Sequence, residues 1–258
     1  MFSISPVAFS IFGLPVRWYA IAYIAAFIFG YVFLRRMACR PDSGLNMTKK
    51  SVDDLLSCLI LGVIIGGRLG YVLFYNLSYF IAHPLEIFAV WQGGMSFHGG
   101  MLGVIAAIFL YAKGWLRGLK ILDLTAVITP LGLFFGRIAN FINGELWGRP
   151  TTGAVGQYFG GRHPSQLYEA ATEGILLFII MLCAYRFTKL KDRPGALAGL
   201  FGMCYAVFRI ICEQFRMPDE QLAFMVEKFG ISMGQLLSAV MFLIGAGLFV
   251  TAFRRRSN

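Results

Sequence analysis

Seven apolar runs, separated by short polar or basic stretches, divide the chain at residues 17 to 36, 54 to 75, 95 to 112, 121 to 142, 166 to 185, 195 to 215 and 231 to 252. At about 1.5 Å per residue each approaches the roughly 30 Å of a bilayer's hydrocarbon core, so the pattern predicts seven transmembrane helices. Runs four and six carry polar residues inside them. The ten-residue alternation of an outer-membrane barrel is absent, which leaves an all-α membrane protein. The stretches 76 to 94, 143 to 165 and 216 to 230 are longer than a turn needs. The first mixes aromatics with His83, Pro84 and Glu86 and reads as a short amphipathic helix along the interface. The second carries Asn-Gly, Gly-Gly and two prolines and reads as irregular backbone. Residues 1 to 258 form a single polytopic domain on this reading, without a repeat between the halves.

Composition agrees: 58% of the 258 residues are hydrophobic and 14% charged, and mean hydropathy is +0.69, outside the soluble range. A net charge of +10 raises nucleic acid as a partner, but no soluble basic domain exists to hold one. Topology accounts for the charge instead. One set of loops holds Arg35, Arg36, Arg40, Lys49 and Lys50, then Lys113, Arg117 and Lys120, then Arg186, Lys189, Lys191 and Arg193, then Arg254, Arg255 and Arg256, fifteen of 23 basic residues. The positive-inside rule makes that side cytoplasmic and puts the N-terminus outside and the C-terminus inside. The N-terminal residues show neither a basic region nor a cleavage pattern of a removable signal peptide. Five cysteines without a CxxC pair suggest neither a disulfide framework nor a zinc site.

Charged residues inside spans are costly and are read as functional. The stretch Gly136 to Gly148, GRIANFINGELWG, is the densest case. At 100° per residue Gly136, Arg137, Asn140, Asn143 and Gly144 share an arc of about 120°, with Phe134, Phe135, Ile138, Phe141 and Ile142 opposite, facing lipid. Counting from predicted helix starts, Arg137 sits about 24 Å up, and Arg209 and Arg68 about 21 Å. His98, Glu169 and Glu173 enter from outside toward the same layer, so an active site belongs at the outer leaflet. Tyr205, Arg209, Glu213 and Arg216 form one helical stripe. Two arginines at one depth suit an anion, and phosphate is the anion a membrane offers; the bland alternatives are ion pairs of Arg137 with a glutamate and of Arg209 with Glu213. Arg68 fits either a third cation of that site or a partner for Glu169 or Glu173. His98, among the glycines of QGGMSFHGGMLG, has the chemistry of a general base. Ser96 would complete a dyad with it, but no GxSxG turn accompanies it. His163 opens HPSQLYE, where Pro164 and Ser165 mark a helix start and a capping role. Tyr19 and Trp18 fall where interfacial aromatics are ordinary.

GRIANFINGELWG, with GGMSFHGG, HPSQLYE, the early RWYA and the late FRIICEQFRMPD, closely resembles the bacterial prolipoprotein diacylglyceryl transferase family over residues 12 to 235. The resemblance implies a seven-helix protein of the bacterial cytoplasmic (inner) membrane, with a periplasmic N-terminus, a cytoplasmic C-terminus and an active site toward the periplasmic leaflet. The implied reaction moves the diacylglyceryl group of phosphatidylglycerol to the lipobox cysteine thiol of a preprolipoprotein signal peptide, forming a thioether and releasing glycerol phosphate, without cofactor or metal. Carried over by position, catalytic roles fall to His98, Arg137, Glu145, Tyr205 and Arg209. Tyr19, Arg68, Asn140, Asn143, Gly148, His163 and Glu213 would bind substrate, the two asparagines by donating to the phosphate. The base is the open assignment, with Tyr205 and Glu145 as alternatives to His98. The rival reading is an anion or lipid transporter, which predicts pseudo-repeats and midplane sites.

Overall fold

A computed structural model describes residues 5–217 and 230–255. Its helices are α1 (Trp18–Ala38), α2 (Lys49–Tyr75), α3 (Leu77–Ala82), α4 (Phe97–Ala112), α5 (Trp115–Asn143), α6 (Ala154–Tyr158), α7 (Ser165–Phe187), α8 (Ala196–Glu213) and α9 (Met233–Arg254). Six of them, α1, α2, α5, α7, α8 and α9, are long and apolar enough to cross a membrane. The third predicted span becomes α4, of 16 residues, because Ser96 caps it: the Ser96 hydroxyl accepts from the Gly99 amide at 3.2 Å. That bond commits Ser96 to a cap.

The membrane-spanning architecture is all-helical, and before it Val7–Ile11 (β1) and Leu14–Arg17 (β2) pair antiparallel, turning through positive φ at Phe12 and Gly13. Residues 76 to 94, read as a short amphipathic helix, form the short helix α3 followed by two 3-10 turns, Pro84–Phe88 and Val90–Gln92. Much of 216 to 230, with Pro218, Asp219 and Lys228, lies outside the described residues, as does Arg256.

Contacts group the chain into two compact units, Met1–Leu34 with Asp123–Asn258, and Arg35–Leu122. In the second, α2 and α4 cross on glycine. A Cβ on Gly62 would stand 2.6 Å from the Gly103 carbonyl oxygen, and one on Gly70 2.7 Å from the Gly99 Cα. Small residues let helix backbones meet where lipid gives no hydrophobic drive. Arg68, 5% exposed, stays within this unit. Its Nε donates to the Ile87 carbonyl at 2.8 Å, Nη2 to Glu86 at 2.6 Å, and Nη1 to Gly93 and Gly94 at 2.6 and 3.2 Å. A guanidinium given to four carbonyls clamps the loop before α4.

In the first unit α8 packs on α9, where a Cβ on Gly199 would meet Gly245 and Phe249 backbone at 2.7 Å, and α7 on α5, where one on Gly174 would come 2.7 Å from the Phe134 Cβ. Between Glu169 and Leu177, α7 loosens into a π-helical stretch, Ala170–Leu176. The apolar side of α5 was expected to face lipid. It packs on protein instead: Phe135 stacks on Phe29 with ring centres 5.8 Å apart, and Phe141 meets Trp147 and Phe159.

The glycine crossing yields a test. Gly103→Leu drives a side chain into the Gly62 backbone and should cost at least the 1–3 kcal/mol typical of overpacking, whereas Gly132, with nothing within 4 Å of its Cβ position, should accept leucine. Thermal unfolding in detergent measures both; equal midpoints would show that the crossing does not depend on close approach.

Candidate active site

Three helices bring six charges together. Arg137 of α5 and Arg209 of α8 flank Glu169 of α7: Arg137 Nε lies 2.6 Å from Glu169 Oε2, and Arg209 Nη1 3.3 Å from Oε1. Arg216, just past α8, reaches the same carboxylate at 3.6 Å. One turn along α7, Glu173 lies 3.9 Å from Arg137 Nη2 and 3.7 Å from Arg209 Nη1, and Arg209 Nη2 pairs with Glu213 at 3.2 Å. Glu169 and Glu173 are 2% and 0% exposed. Among the described residues, three guanidinium groups therefore face three carboxylates. Burying any one alone would cost several kcal/mol, so the group is stable only as a set.

The set is held loosely at its centre. Both Glu173 oxygens and Arg209 Nη1 are buried without a hydrogen-bond partner among the described residues, because their mutual distances are those of ion contact. Glu213 is better held: the Ser232 hydroxyl donates to its Oε1 at 3.0 Å, and a Cβ on Gly234 would stand 2.8 Å from its carboxyl group. Tyr205, one turn before Arg209, is half-buried, within electrostatic range of Glu173 and Arg209. The ion pairs weighed as bland alternatives thus exist, and the predicted pair of arginines exists within them.

A second group forms where α5 ends. Asn140 Nδ2 donates to Glu145 Oε2 at 3.1 Å and Asn143 Nδ2 to Oε1 at 3.3 Å. Both amides thus hold the Glu145 carboxylate. The turn depends on backbone: Gly144 has φ 70 and Leu146 φ 57, a left-handed conformation unusual for a leucine. It is fixed from α7, where Ser165 Oγ donates to the Leu146 carbonyl at 2.8 Å and Gln166 Nε2 donates to the Glu145 carbonyl. Tyr19 lies within electrostatic range of Glu145 and shares a hydroxyl contact of 3.1 Å with Tyr23.

Gly148 and His163 form the frame beside these groups. The Gly148 amide donates to the His163 carbonyl at 2.8 Å, and the Arg149 amide to Phe215 at 2.8 Å. A Cβ on Gly148 would stand 2.8 Å from the His163 carbonyl oxygen, so only glycine fits where these chains cross. The frame holds the chain just before Arg216. His163 caps with its backbone, the Ser165 amide donating to its carbonyl at 2.9 Å. Its ring faces the Tyr168 hydroxyl at 3.2 Å and Phe215. His98 is exposed on the first turn of α4, in the unit Arg35–Leu122.

Sequence reasoning missed Ser165, Gln166 and Ser232 as supports. Ser165 and Gln166 lie inside HPSQLYE, read as a helix start and as a family motif but without a role for either residue. Ser232 is the first residue of SMGQ, a capping-box spacing that could have shown it.

Comparison with known proteins covers this whole arrangement. A model of the prolipoprotein diacylglyceryl transferase family matches residues 6–251. Proteins named phosphatidylglycerol–prolipoprotein diacylglyceryl transferase are similar throughout. That of Methylocella silvestris is 47% identical, over 98% of this chain and 96% of its own. Those of Nitratidesulfovibrio vulgaris and Geobacter sulfurreducens are 49% and 48% identical, over 95% and 98% of this chain and 92% and 97% of theirs.

Glu169 contacts all three arginines whereas Glu213 pairs with one, so their neutral variants should differ. Glu169→Gln should lower unfolding stability by roughly 3–5 kcal/mol, the cost of stranding buried charge, and Glu213→Gln by less. Thermal unfolding of the two variants decides, and the opposite order would remove Glu169 from the centre of the set.

Proposed function

The chain belongs to the prolipoprotein diacylglyceryl transferase family, and on that premise we propose how its residues carry out the transfer. The protein moves the diacylglyceryl group of phosphatidylglycerol to prolipoproteins in lipoprotein maturation. The acceptor is the lipobox cysteine of the signal peptide. Its thiolate attacks the glycerol carbon bonded to the phosphate oxygen; the C–S bond forms as the C–O bond breaks, and the electron pair leaves with glycerol phosphate. A phosphodiester with one negative charge becomes a monoester with two. Catalysis therefore needs cations aimed at that oxygen before the charge appears.

Arg137 and Arg209, aligned on one carboxylate, are the observation that carries this reading. Their charge is balanced at rest, so the lipid phosphate enters by taking over a weak contact: the 3.9 Å pair of Arg137 with Glu173 opens, and Arg209 Nη1, which lacks a hydrogen bond, completes one. Arg137 Nε stays on Glu169, keeping the fork in place. Tyr205 donates to the same phosphate. Glu145, held by Asn140 and Asn143 with Tyr19 nearby, accepts from the hydroxyls of the leaving glycerol. Gly148, His163 and Glu213 act through the frame and through Arg209. His98 takes the thiol proton, since a free cysteine near pKa 8.5 is mostly protonated at neutral pH.

The chain works as one polytopic domain of the inner membrane, with α4 as a seventh crossing, the N-terminus periplasmic, the C-terminus cytoplasmic and the site toward the periplasmic leaflet. The basic loops support that orientation.

Purified protein with phosphatidylglycerol vesicles and a lipobox peptide should yield diacylated peptide and glycerol phosphate one for one; lipid movement without either product would favour a transporter. In that assay Arg137→Lys keeps charge but loses the fork and should lose roughly 10²-fold or more in kcat; full activity would remove Arg137 from phosphate recognition. For His98→Gln, the pH–rate profile should differ from that of the wild type, and an unchanged profile would rule out the base role.

A further inference from the structure

We infer that Asp123, at the far end of α5 from the charge cluster, is a positioning residue that sets the register at which Arg137 and Arg209 meet Glu169. The inference rests on the transferase reading and on the place given there to Arg209.

Helix α8 has no side-chain cap of its own. Gly195 precedes it with φ 93 and no side chain to offer. The cap comes from 72 residues earlier: Asp123 Oδ2 accepts from the Gly195 amide at 2.7 Å and Oδ1 from the Ala198 amide at 2.8 Å. Asp123 is 2% exposed. A carboxylate at a helix N-terminus is favoured by the aligned amides and the helix dipole. A cap from the same segment stabilises one helix; a cap borrowed from a neighbour also joins two helices at a defined rung.

The rung matters because of what lies above it. Arg137 follows Asp123 by fourteen residues, and Arg209 follows Gly195 by fourteen, so each guanidinium stands about 21 Å along its helix from the tie. The helices run parallel, and equal lengths bring both arginines to one carboxylate, at 2.6 and 3.3 Å. A slip of one residue would move Arg209 by about 1.5 Å and turn it by about 100°, and misplacement by about 1 Å can cost roughly 10²-fold in rate. The 3.3 and 3.7 Å contacts of Arg209 Nη1 are too loose to hold that register by themselves. Pro130 interrupts the hydrogen-bond ladder of α5 between the tie and the cluster, which adds to the need for a fixed base.

A double-mutant cycle separates positioning from general support. Asp123→Ala and Asp123→Asn are measured alone and with Arg209→Lys, on purified full-length protein with phosphatidylglycerol vesicles and a lipobox peptide, and thermal unfolding confirms that each variant is folded. Asp123→Ala should lower kcat roughly 10²-fold and Asp123→Asn, which keeps one acceptor, by less. In the Arg209→Lys background both should lose less than about two-fold, because the arginine whose placement they govern is gone. Sites this far apart otherwise behave independently, so equal fold-losses in the two backgrounds would overturn the inference, as would full activity of Asp123→Ala or failure of both variants to fold. A fully active Arg209→Lys would instead overturn the role given to Arg209, and an inactive wild type the transferase reading itself; the inference would fall with either.

Discussion

A carboxylate shared by three arginines, Glu169 with Arg137, Arg209 and Arg216, is the constraint around which the first unit is arranged. A lone charge within a membrane span is costly, and a buried one without its partner more so. Six such groups persist only because α5, α7 and α8 deliver them to one place with matched sign. The details of packing serve that delivery. Gly174 lets α7 approach Phe134 closely, the π-helical stretch carries Glu173 on its widened turn, and Asp123 ties α5 to α8.

On the proposed reading, charge balance would also let the site hold an anionic lipid and still release a more highly charged product. An uncompensated pair of arginines would hold glycerol phosphate tightly and slow turnover. In the mechanism proposed above, the same arginines, with Glu173 and Glu213 beside them, would give up carboxylate contacts to the lipid and regain them when the product leaves. That exchange would cost little, because the contacts to Glu173 are the longest in the set, at 3.7 and 3.9 Å.

Much of this was legible in the sequence, and its limits are physical. Apolar run lengths located every long helix within about six residues, and the stripe Tyr205, Arg209, Glu213 follows from helical period alone. Depth counting was weaker: α5 begins at Trp115, six residues before its predicted start, yet Arg137 and Arg209 do share a ligand. What the pattern could not supply was the partner of each polar group. Asn140 and Asn143 turn to Glu145 because Gly144 and Leu146 adopt positive φ, which periodicity does not encode. Arg68 shares the common depth by residue count, but its loop offers it four carbonyls, which no sequence pattern encodes. The N-terminal hairpin was hidden by the strong helical signal that follows it.

The claim at the centre is that the substrate phosphate takes its place between Arg137 and Arg209. An experimental structure with phosphatidylglycerol bound tests this most directly. The account predicts phosphate oxygens within about 3.2 Å of both guanidinium groups, with the Arg137 to Glu173 contact opened and Glu169 still on Arg137 Nε. A phosphate held by other cations, with the six-charge set intact and the lipid head group elsewhere, would contradict it.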